Sequence, residues 1–252
     1  MSIEFDVQDG VATITLNRPQ ARNAIDGAMA AAISDAIKII ETDRAIRVGL
    51  ITGSGGYFCA GMDLKAFLRQ ELVRLPGTGF AGITQAKVGK PLIAAVEGFA
   101  VGGGFEIALA CDLVVASEKA QFGLAEVKRG LVANAGGLVR LPRQLPVKIA
   151  AELVLTGELF PAAFLAMYGL INRVVPAGEA LHVARVIAGK IAANGPLAIA
   201  ASKRVMSESQ DWLTTEMFDR QFEITAPVMS SADAREGAAA FTEKRPPVWR
   251  GE

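Results

Sequence analysis

Apolar and polar side chains alternate in two short stretches at the beginning of the chain. Residues 3–7 and 11–16 both show this alternation, and Asp9 and Gly10 between them are typical of a tight turn, so the pattern predicts a β-hairpin. From about residue 137 onwards, helical periodicity dominates instead. It predicts helices at 137–144, 147–155, 161–168, 179–193, 197–207, 213–228 and 233–243.

The region between these two patterns alternates between helices and buried strands. Apolar positions at helical spacing predict a first helix to about residue 41, with Asn23 and Asp26 as candidate N-caps. Continuous apolar runs predict buried strands at 47–52, 91–97 and 112–116. Two further segments, at 120–123 and 172–175, are predicted to be extended.

Two of the predicted strands lead into glycine-rich loops that open helices. The first loop covers residues 53–61 and precedes a predicted helix at 62–68; in the second, Gly102 to Gly104 open an apolar helical run. Glycine lets the backbone approach a ligand, and the first N–H groups of a helix lack intrahelical partners. The second loop therefore suits a negatively charged oxygen, and the two loops together could supply both donors of an oxyanion site. A solvent loop and a tight turn are the alternatives.

A third glycine-rich segment has the spacing of a dinucleotide-binding loop but not its context. Residues 77–82 match G-x-G-x-x-G, yet a polar, helix-like segment at 69–74 precedes them and no acidic residue follows about 20 positions later. We therefore predict a mobile loop near a pocket.

Composition excludes several classes of protein. The 252 residues are 51% hydrophobic but only 6% aromatic, which predicts an aliphatic core, and 26 basic residues balance 26 acidic ones. Without a basic stripe, nucleic acid is not expected as a partner. No apolar run approaches the length of a membrane span, and the N-terminus does not resemble a signal peptide, so we expect no membrane partner and a cytoplasmic location.

Few residues are available for metal or thiol chemistry. Cys59 and Cys111 lie in apolar surroundings and are predicted to be buried free thiols. His182, the one histidine, lies in a predicted helix, where a surface position is expected. We therefore expect no metal site and no histidine-dependent catalytic triad.

Two glutamates are candidate catalytic acids. Glu106 lies about one turn into the apolar helix that Gly102 to Gly104 open, and Glu126 follows twenty residues later. Paired carboxylates can divide acid and base roles when their surroundings separate their pKa values. Alternatively, Glu106 is a helix cap, and Glu126 is a surface glutamate that is either solvated or ion-paired, since Lys128 and Arg129 are nearby.

The loops and acids, taken in order, resemble the crotonase, or enoyl-CoA hydratase/isomerase, superfamily. The resemblance runs along nearly the whole chain, in motifs at residues 16–25, 51–64, 98–106, 111–112, 120–123, 135–137, 140–142 and 241–249. It implies an α/β fold: a crotonase-like spiral of repeated ββα units at 1–195, followed by a helical trimerisation region at 196–252. It also implies a homotrimer or a dimer of trimers that binds acyl-CoA thioesters, with coenzyme A as part of the substrate and no separate cofactor.

The resemblance also implies roles for particular residues. The N–H groups of Met62 and Gly103 match the oxyanion donors of the family. Its hydratases carry two glutamates at the positions of Glu106 and Glu126, one to deprotonate water and one to protonate Cα. Since both acids are present, the resemblance favours an enoyl-CoA hydratase; other reactions of the family, such as isomerisation or carnitinyl-CoA dehydration, are the alternative.

Substrate contacts follow less directly from the resemblance. The residues that match CoA-binding positions are Arg22, Ala24, Ala60, Gly61, Met62, Asp63, Leu64, Gly103, Phe241 and Lys244. The chain departs from many hydratases at Ala133 and Asn134, where they have Pro-Gly, and at Met62, where they have alanine. The end of the chain also resembles carnitinyl-CoA dehydratases.

Overall fold

The computed structural model describes residues 2–252, which form a mixed α/β structure. Its strands are β1 (Ile3–Gln8), β2 (Val11–Leu16), β3 (Val48–Gly53), β4 (Arg74–Leu75), β5 (Gly79–Phe80), β6 (Leu92–Val96), β7 (Phe99–Val101), β8 (Leu113–Ser117), β9 (Gln121–Gly123), β10 (Phe160–Pro161) and β11 (Arg173–Val175). Its helices are α1 (Gly27–Thr42), α2 (Leu64–Leu68), α3 (Gly103–Ala110), α4 (Gly137–Gln144), α5 (Val147–Thr156), α6 (Ala162–Met167), α7 (Ala180–Ala192), α8 (Pro196–Glu208), α9 (Met217–Met229) and α10 (Ala232–Glu243).

The strands form one large sheet, one small sheet and a short hairpin. The large sheet has the order β1-β2-β3-β6-β8-β11, and all of its pairings are parallel except that of β1 with β2. The small sheet has the order β10-β9-β7, and β4 pairs with β5. The chain thus repeatedly places a strand in the large sheet, an extended segment beside it, and then a helix or 3₁₀ turn, as in β6–β7–α3.

The inner strands of the large sheet, β2, β3, β6 and β8, are buried on both faces, which explains the continuous apolar runs of β3, β6 and β8. Neighbouring residues of one strand enter different clusters: Ile51 packs in the larger core with α1 and α3, whereas Leu50 packs in a second core. In that second core, α7 lies on the sheet through Ala180, Ala184 and Ala188, which are fully buried. Small side chains on this helix allow it to approach the strands closely.

The C-terminal helices are joined to the sheet by polar contacts. Lys203 of α8 donates to the carboxylate of Asp112 over 2.7 Å and to the carbonyl of Lys90 over 2.8 Å. The last residues return to the start of α10, where the buried carboxylate of Asp233 accepts hydrogen bonds from the backbone N–H groups of Arg250 and Gly251. The predicted domain division between residues 195 and 196 stays a prediction.

In the described part of the chain, no single helix is long and apolar enough to cross a membrane. The segments Ala180–Ala192 and Pro196–Asp211 are long and apolar enough for a membrane span only when they are taken together, and the chain bends by 110° between them.

Most of the predicted elements are present, with local corrections at their ends. The sequence predicts a helix-like segment at 69–74, but Arg74 lies in β4, because positive φ angles at Gly77 and Gly79 let the chain turn back so that Phe80 pairs with Arg74. The predicted helix at 213–228 begins only at Met217.

Two predicted helix starts are also corrected by capping contacts. The helix expected at 62–68 begins at Leu64. The carboxylate of Asp63 accepts hydrogen bonds from the N–H groups of Lys65 and Ala66 and so caps this helix. Asp26 caps α1 as predicted, whereas Asn23 does not. The buried Asn23 amide instead donates to the carbonyls of Ser54 and Tyr57, which fixes the first glycine loop.

Candidate active site

The three glycines at the start of α3 are each required by a different neighbour. Gly102 has φ +55°, and a Cβ added there would lie 3.0 Å from Oε1 of Glu126. A Cβ on Gly103 would lie 2.5 Å from the ring of Phe80, and one on Gly104 would collide with the carbonyl oxygen of Cys59. The glycines therefore allow the start of α3 to approach both a candidate acid and the first glycine loop.

The first glycine loop converges on the same point. Gly61 has φ +91°, and a Cβ there would lie 3.1 Å from the nitrogen of Gly103. The neighbours of Met62 pair with Ile25, since Ile25 N–H donates to the Gly61 carbonyl and Asp63 N–H donates to the Ile25 carbonyl. This pairing directs the Met62 N–H away from Ile25.

The N–H groups of Met62 and Gly103 are both available to a ligand. Within residues 2–252, neither donates a hydrogen bond to another group of the chain. Both residues line the same cavity, and Gly103 is the first residue of a helix, where the helix dipole is positive. The two loops thus present two free backbone donors to one cavity, as the sequence predicts.

Glu106 is buried in the wall of this cavity, with 2% of its surface exposed. Its Oε1 accepts hydrogen bonds from the N–H groups of Ala135 (2.7 Å) and Gly137 (2.9 Å), while no group in residues 2–252 donates to its Oε2. Burial raises the pKa of Glu106 above its usual value, and the two N–H groups, Arg74 and Arg140 oppose this rise. The side chain is held by one oxygen and leaves the other for a ligand.

Glu126 lies in the 3₁₀ turn that follows β9. Its Oε2 is buried and has no hydrogen-bond partner in the described chain. Burial raises the pKa of Glu126, and the charge of Glu106 adds to the rise, against a hydrogen bond from the backbone N–H of Glu126 itself. The carboxyl group therefore favours its protonated form more than a solvated glutamate does.

The alternative view of Glu126 as an ion-paired surface residue is wrong. Lys128 pairs with Glu158, and Arg129 donates to the carbonyl of Ala125. The structure thus brings together the four residues predicted to be catalytic, which are Met62, Gly103, Glu106 and Glu126. Their roles stay predictions.

The cavity that these residues share has a volume of about 300 Å³, the lower end of the range of small-ligand sites. Apolar side chains form most of its wall, which suits an acyl chain beside the polar groups. The lining residues are Ala60, Gly61, Met62, Leu64, Phe67, Phe80, Val101, Gly102, Gly103, Glu106, Ala125, Glu126, Arg129, Leu131, Val132, Asn134 and Ala135.

A second cavity, of about 200 Å³, lies where α1 ends and α8 begins. Its wall is mostly apolar and carries the side chains of Arg44, Arg47, Lys90 and Arg250, with Glu41 as the one acid among its lining residues. Because it lacks a carboxylate pair, it does not compete with the first cavity as a candidate active site.

The residues predicted to bind CoA fall into two groups. Ala60, Gly61, Met62, Leu64 and Gly103 line the cavity. The residues that do not line it within one chain are Arg22, Ala24, Asp63, Phe241 and Lys244.

The second group has other surroundings in the single chain. Arg22 is exposed and its guanidinium lies 6.0 Å from the centre of the Tyr57 ring. The carboxylate of Asp63 caps α2 and pairs with Arg18, so it is directed at the protein. Phe241 and Lys244 lie at the end of α10, where the Phe241 side chain is 87% exposed. Their predicted roles are not tested by one chain.

Arg18 and Phe80 support the site but were not identified from the sequence. The guanidinium of Arg18 contacts Asp26 and Asp63, both over 3.1 Å, and so ties the first glycine loop to the start of α1. Phe80 lies against Gly103 and is almost fully buried. In the sequence, Arg18 is marked only by the proline that follows it and Phe80 only by the glycines around it. Neither pattern shows what the side chain contacts.

Comparisons with known proteins place these features in a family. A sequence model described as enoyl-CoA hydratase/isomerase matches residues 6–252. A carnitinyl-CoA dehydratase of Proteus mirabilis is 39% identical over 258 residues, which covers 99% of this chain and 98% of the relative.

Two solved structures show the same fold over the whole chain. The enoyl-CoA hydratase from Mycobacterium tuberculosis H37Rv has a TM-score of 0.98 and 49% identity, with 100% of this chain and 99% of that chain covered. The carnitinyl-CoA hydratase from Mycobacterium avium has a TM-score of 0.80 and 46% identity, with the same coverage. The predicted fold class is thereby confirmed.

Proposed function

The chain belongs to the enoyl-CoA hydratase/isomerase family, and from that premise we propose that it adds water reversibly across the 2,3 double bond of an enoyl-CoA thioester. One observation carries the proposal: buried Glu106 and half-buried Glu126, both with raised pKa values, share a cavity with two free backbone N–H groups. A hydro-lyase needs both parts, because it must move a proton at two places and stabilise the enolate formed between them.

The two N–H groups supply the oxyanion site of the proposed reaction. As water adds to C3, negative charge moves to the thioester oxygen, where the donors of Met62 and Gly103 stabilise it. These donors are fixed by the backbone and do not have to reorient during the reaction. Loss of one such donor typically lowers the rate by about 10²–10³.

The two glutamates divide the proton transfers. The Oε1 atom of Glu106 is occupied by two N–H groups, so Oε2 holds the water and takes its proton as the oxygen bonds to C3. Protonated Glu126 gives its proton to C2 of the enolate. The thioester thus gains H at C2 and OH at C3, and one proton passes from Glu126 to Glu106. In dehydration the roles reverse, and no cofactor besides the substrate's CoA is required.

Carnitinyl-CoA dehydration is the second candidate, because relatives that carry that name are similar over almost the whole chain. It uses the same two acids but a substrate with a quaternary ammonium group, which proteins hold with aromatic faces and negative charge. Here Arg129 lines the cavity, and Arg74 and Arg140 act electrostatically on Glu106. These cations oppose a positively charged acyl group, whereas Glu106, Phe67 and Phe80 in the same cavity wall attract one, so turnover of both substrates decides between the two candidates.

The proposed assembly is a homotrimer or a dimer of trimers. Large apolar side chains on α8 and α9, such as Met206, Phe218 and Phe222, are more than 60% exposed in the single chain, and contact with another copy would cover them. In such an assembly, Phe241 and Lys244 reach the CoA of a neighbouring subunit. Lys244 then offers a positive charge to phosphate.

Turnover of a panel of thioesters tests the proposed reaction. Purified protein is given 2-enoyl-CoA esters of several chain lengths, a 3-enoyl-CoA and carnitinyl-CoA, and each product is identified. We expect 2-enoyl esters to be hydrated with the highest kcat/KM. Glu106→Gln and Glu126→Gln should each lower kcat by about 10²–10⁴ while the thioester still binds.

Glu158→Gln is the matched control, because Glu158 is an exposed glutamate that pairs with Lys128 outside the cavity. It should leave kcat unchanged. Faster turnover of carnitinyl-CoA would favour the second candidate, and full activity of both glutamate variants would refute their roles.

A further inference from the structure

A single peptide unit lies between Glu106 and an arginine outside the cavity. The Ala135 N–H donates to Oε1 of Glu106 over 2.7 Å. The carbonyl of the same unit, on Asn134, accepts a hydrogen bond of 2.6 Å from Nη2 of Arg74. In a trans peptide the N–H and C=O point in opposite directions, so the dipole of this unit is aligned with a cation at one end and a carboxylate at the other.

Arg74 is held in place by a second contact and by its strand. Its Nη2 also donates to Oδ1 of Asn134 over 3.0 Å. On the β4–β5 hairpin, Arg74 is paired directly with Phe80, and paired residues project from the same face. Phe80 lies against Gly103. The hairpin thus supports the oxyanion glycine with one side chain and the loop that holds Glu106 with another.

The charged groups that face Glu106 come from three elements. Arg74 acts from β4 and Arg140 from α4, and both oppose the rise in the pKa of Glu106 that burial causes. Glu126 faces it from the 3₁₀ turn and has its own pKa raised by the charge of Glu106. Arg140 donates to the carbonyl of Thr84, so of the two arginines it is Arg74 that hydrogen-bonds the peptide unit whose N–H donates to Glu106.

We propose that Arg74 is a positioning residue that orients the carboxylate of Glu106 and keeps it ionised, through the peptide that joins Asn134 and Ala135. The inference rests on the proposed function, in which ionised Glu106 takes the proton of water. Hydrogen bonds in series strengthen one another, and those with an ionised partner are stronger than neutral ones. A glycine at position 134 would offer Arg74 the carbonyl only, so the second contact depends on the asparagine of this chain.

The pH profile separates this role from a purely structural one. In the pH profile of kcat/KM, which refers to the free enzyme, the acid limb reports Glu106, because this residue must lose its proton to act as a base. The alkaline limb reports Glu126, which must keep its proton to act as an acid. Arg74→Met removes a positive charge that favours the ionised form. The acid limb should therefore move to higher pH, while the alkaline limb and KM change little, because Arg74 does not line the cavity.

Four variants test the proposal against wild type. At neutral pH, Arg74→Met should lower kcat/KM about tenfold, the effect expected of one charge-assisted hydrogen bond. Arg74→Lys should restore most of the position of the acid limb, and Asn134→Ala should shift it less than Arg74→Met does. Arg69→Met is the matched control, since Arg69 pairs with Glu71 at the surface and should leave the profile unchanged.

An acid limb that stays in place in Arg74→Met, or that moves equally in Arg69→Met, would overturn the proposal. If Arg74→Met does not fold, as judged by its thermal unfolding, the limb positions of Arg74→Lys and Asn134→Ala decide instead.

A second readout does not depend on the reaction. The titration of Glu106 is followed by NMR in protein with ¹³C-labelled glutamate, with Glu106→Gln used to assign its signal. We expect a lower titration midpoint in wild type than in Arg74→Met. Equal midpoints contradict the inference even if wild type hydrates enoyl thioesters. If wild type hydrates none of them, the proposed function is refuted, and a difference in midpoints still supports the action of Arg74 on Glu106.

Discussion

At Gly102 the backbone angle and the neighbouring side chain both require glycine. Its φ of +55° is unfavourable for other residues, and a Cβ would press against Oε1 of Glu126. Gly130 shares the positive φ, at +65°, but a Cβ there would meet nothing within 4 Å. Gly130→Ala therefore shows the effect of a side chain at positive φ without displacement of the acid.

We predict that Gly130→Ala loses about 1–2 kcal/mol of stability from its left-handed backbone. Gly102→Ala should lose more, because with ψ at −127° Gly102 lies outside the left-handed helical region, in a conformation that residues with a side chain rarely adopt. Only Gly102→Ala should also lower kcat, by about 10- to 100-fold, because the carboxyl group of Glu126 has to move. Thermal unfolding and steady-state kinetics measure the two effects. Equal kcat values in the two variants would show that the position of Glu126 against Gly102 does not matter.

Glu126 should also make stability depend on pH. Burial raises its pKa in the folded protein above the usual value of a glutamate, and the nearby charge of Glu106 adds to this. A raised pKa means that the stabilising contribution is complete below the unfolded value and is lost as pH rises through the folded one. At alkaline pH the folded chain thus carries an ionised, partly buried carboxylate that the unfolded chain would solvate.

Glu126→Gln removes the ionisable group, and the glutamine side chain has nearly the same size and shape as that of glutamate. We predict a higher Tm than wild type at pH 8 and a difference that shrinks as pH falls through the raised pKa of Glu126, because the protonated glutamate is neutral like the glutamine. The measurement is thermal unfolding over a pH series, with Glu158→Gln as the exposed control. A Tm difference that is constant over the series would contradict the assigned cause.

At the scale of the elements, the β4–β5 hairpin forms the wall of the cavity beside α3. Phe80 is 5% exposed and its ring lies against Gly103, the first residue of α3. The position of one oxyanion donor therefore depends on a hairpin whose strands are only two residues long.

We predict that Phe80→Ala lowers both stability, by about 3–5 kcal/mol, and kcat/KM, since it removes the support of Gly103. Phe80→Leu should retain most of both. Phe164→Ala is the control, because Phe164 packs on Phe160 and Tyr168 and does not line the cavity. It should lose stability without losing activity; a parallel loss of kcat/KM in Phe164→Ala would show that stability alone explains the Phe80 result.

The sequence predicts elements whose pattern is local and misses contacts between distant segments. The hairpin of β1 and β2, α1 with its Asp26 cap, and the glycine-opened α3 all follow from short-range periodicity and turn chemistry. The β4–β5 hairpin does not, because its segment is polar and its strands are too short to show a period. The contacts of Asn23 could not be predicted either, because its amide donates to the carbonyls of Ser54 and Tyr57, far along the chain, instead of capping a helix.

The candidate site was predicted in part for the same reason. The two glycine loops and two glutamates could be named from motifs, but their meeting depends on the sheet order. The contact of Arg74 with Asn134 spans 60 residues, and that of Glu106 with Ala135 spans 29, and no sequence pattern joins either pair. Spacing along the chain gives no information on such distances.

At the scale of the whole molecule, the C-terminal helices leave several large apolar side chains exposed in the single chain. The exposed side chains are Met206, Leu213, Phe218, Phe222, Met229 and Phe241. A surface of this kind commonly marks contact between subunits. Because α8 is joined to the sheet through Lys203 and Asp112, and α9 and α10 pack on from it, an assembly formed there would also position Lys244 relative to another subunit.

We predict that wild type has about three or six times the 26.4 kDa mass of the chain in solution. Phe222→Glu, which places a charge on the exposed face of α9, should reduce that mass and weaken thioester binding. Ile39→Glu on α1, a residue that is 45% exposed, should do neither. Light scattering after size exclusion measures the mass, and a monomeric wild type would refute the proposed assembly.

The source of the oxygen in the product tests the central claim most directly. A 2-enoyl-CoA ester is incubated with the protein in ¹⁸O-labelled water, and the thioester product is analysed by mass spectrometry with fragmentation. The proposed mechanism predicts one ¹⁸O atom in a hydroxyl group on C3, formed much more slowly by Glu106→Gln and Glu126→Gln. A product without ¹⁸O, whose double bond has only moved, would contradict hydration and show an isomerase instead.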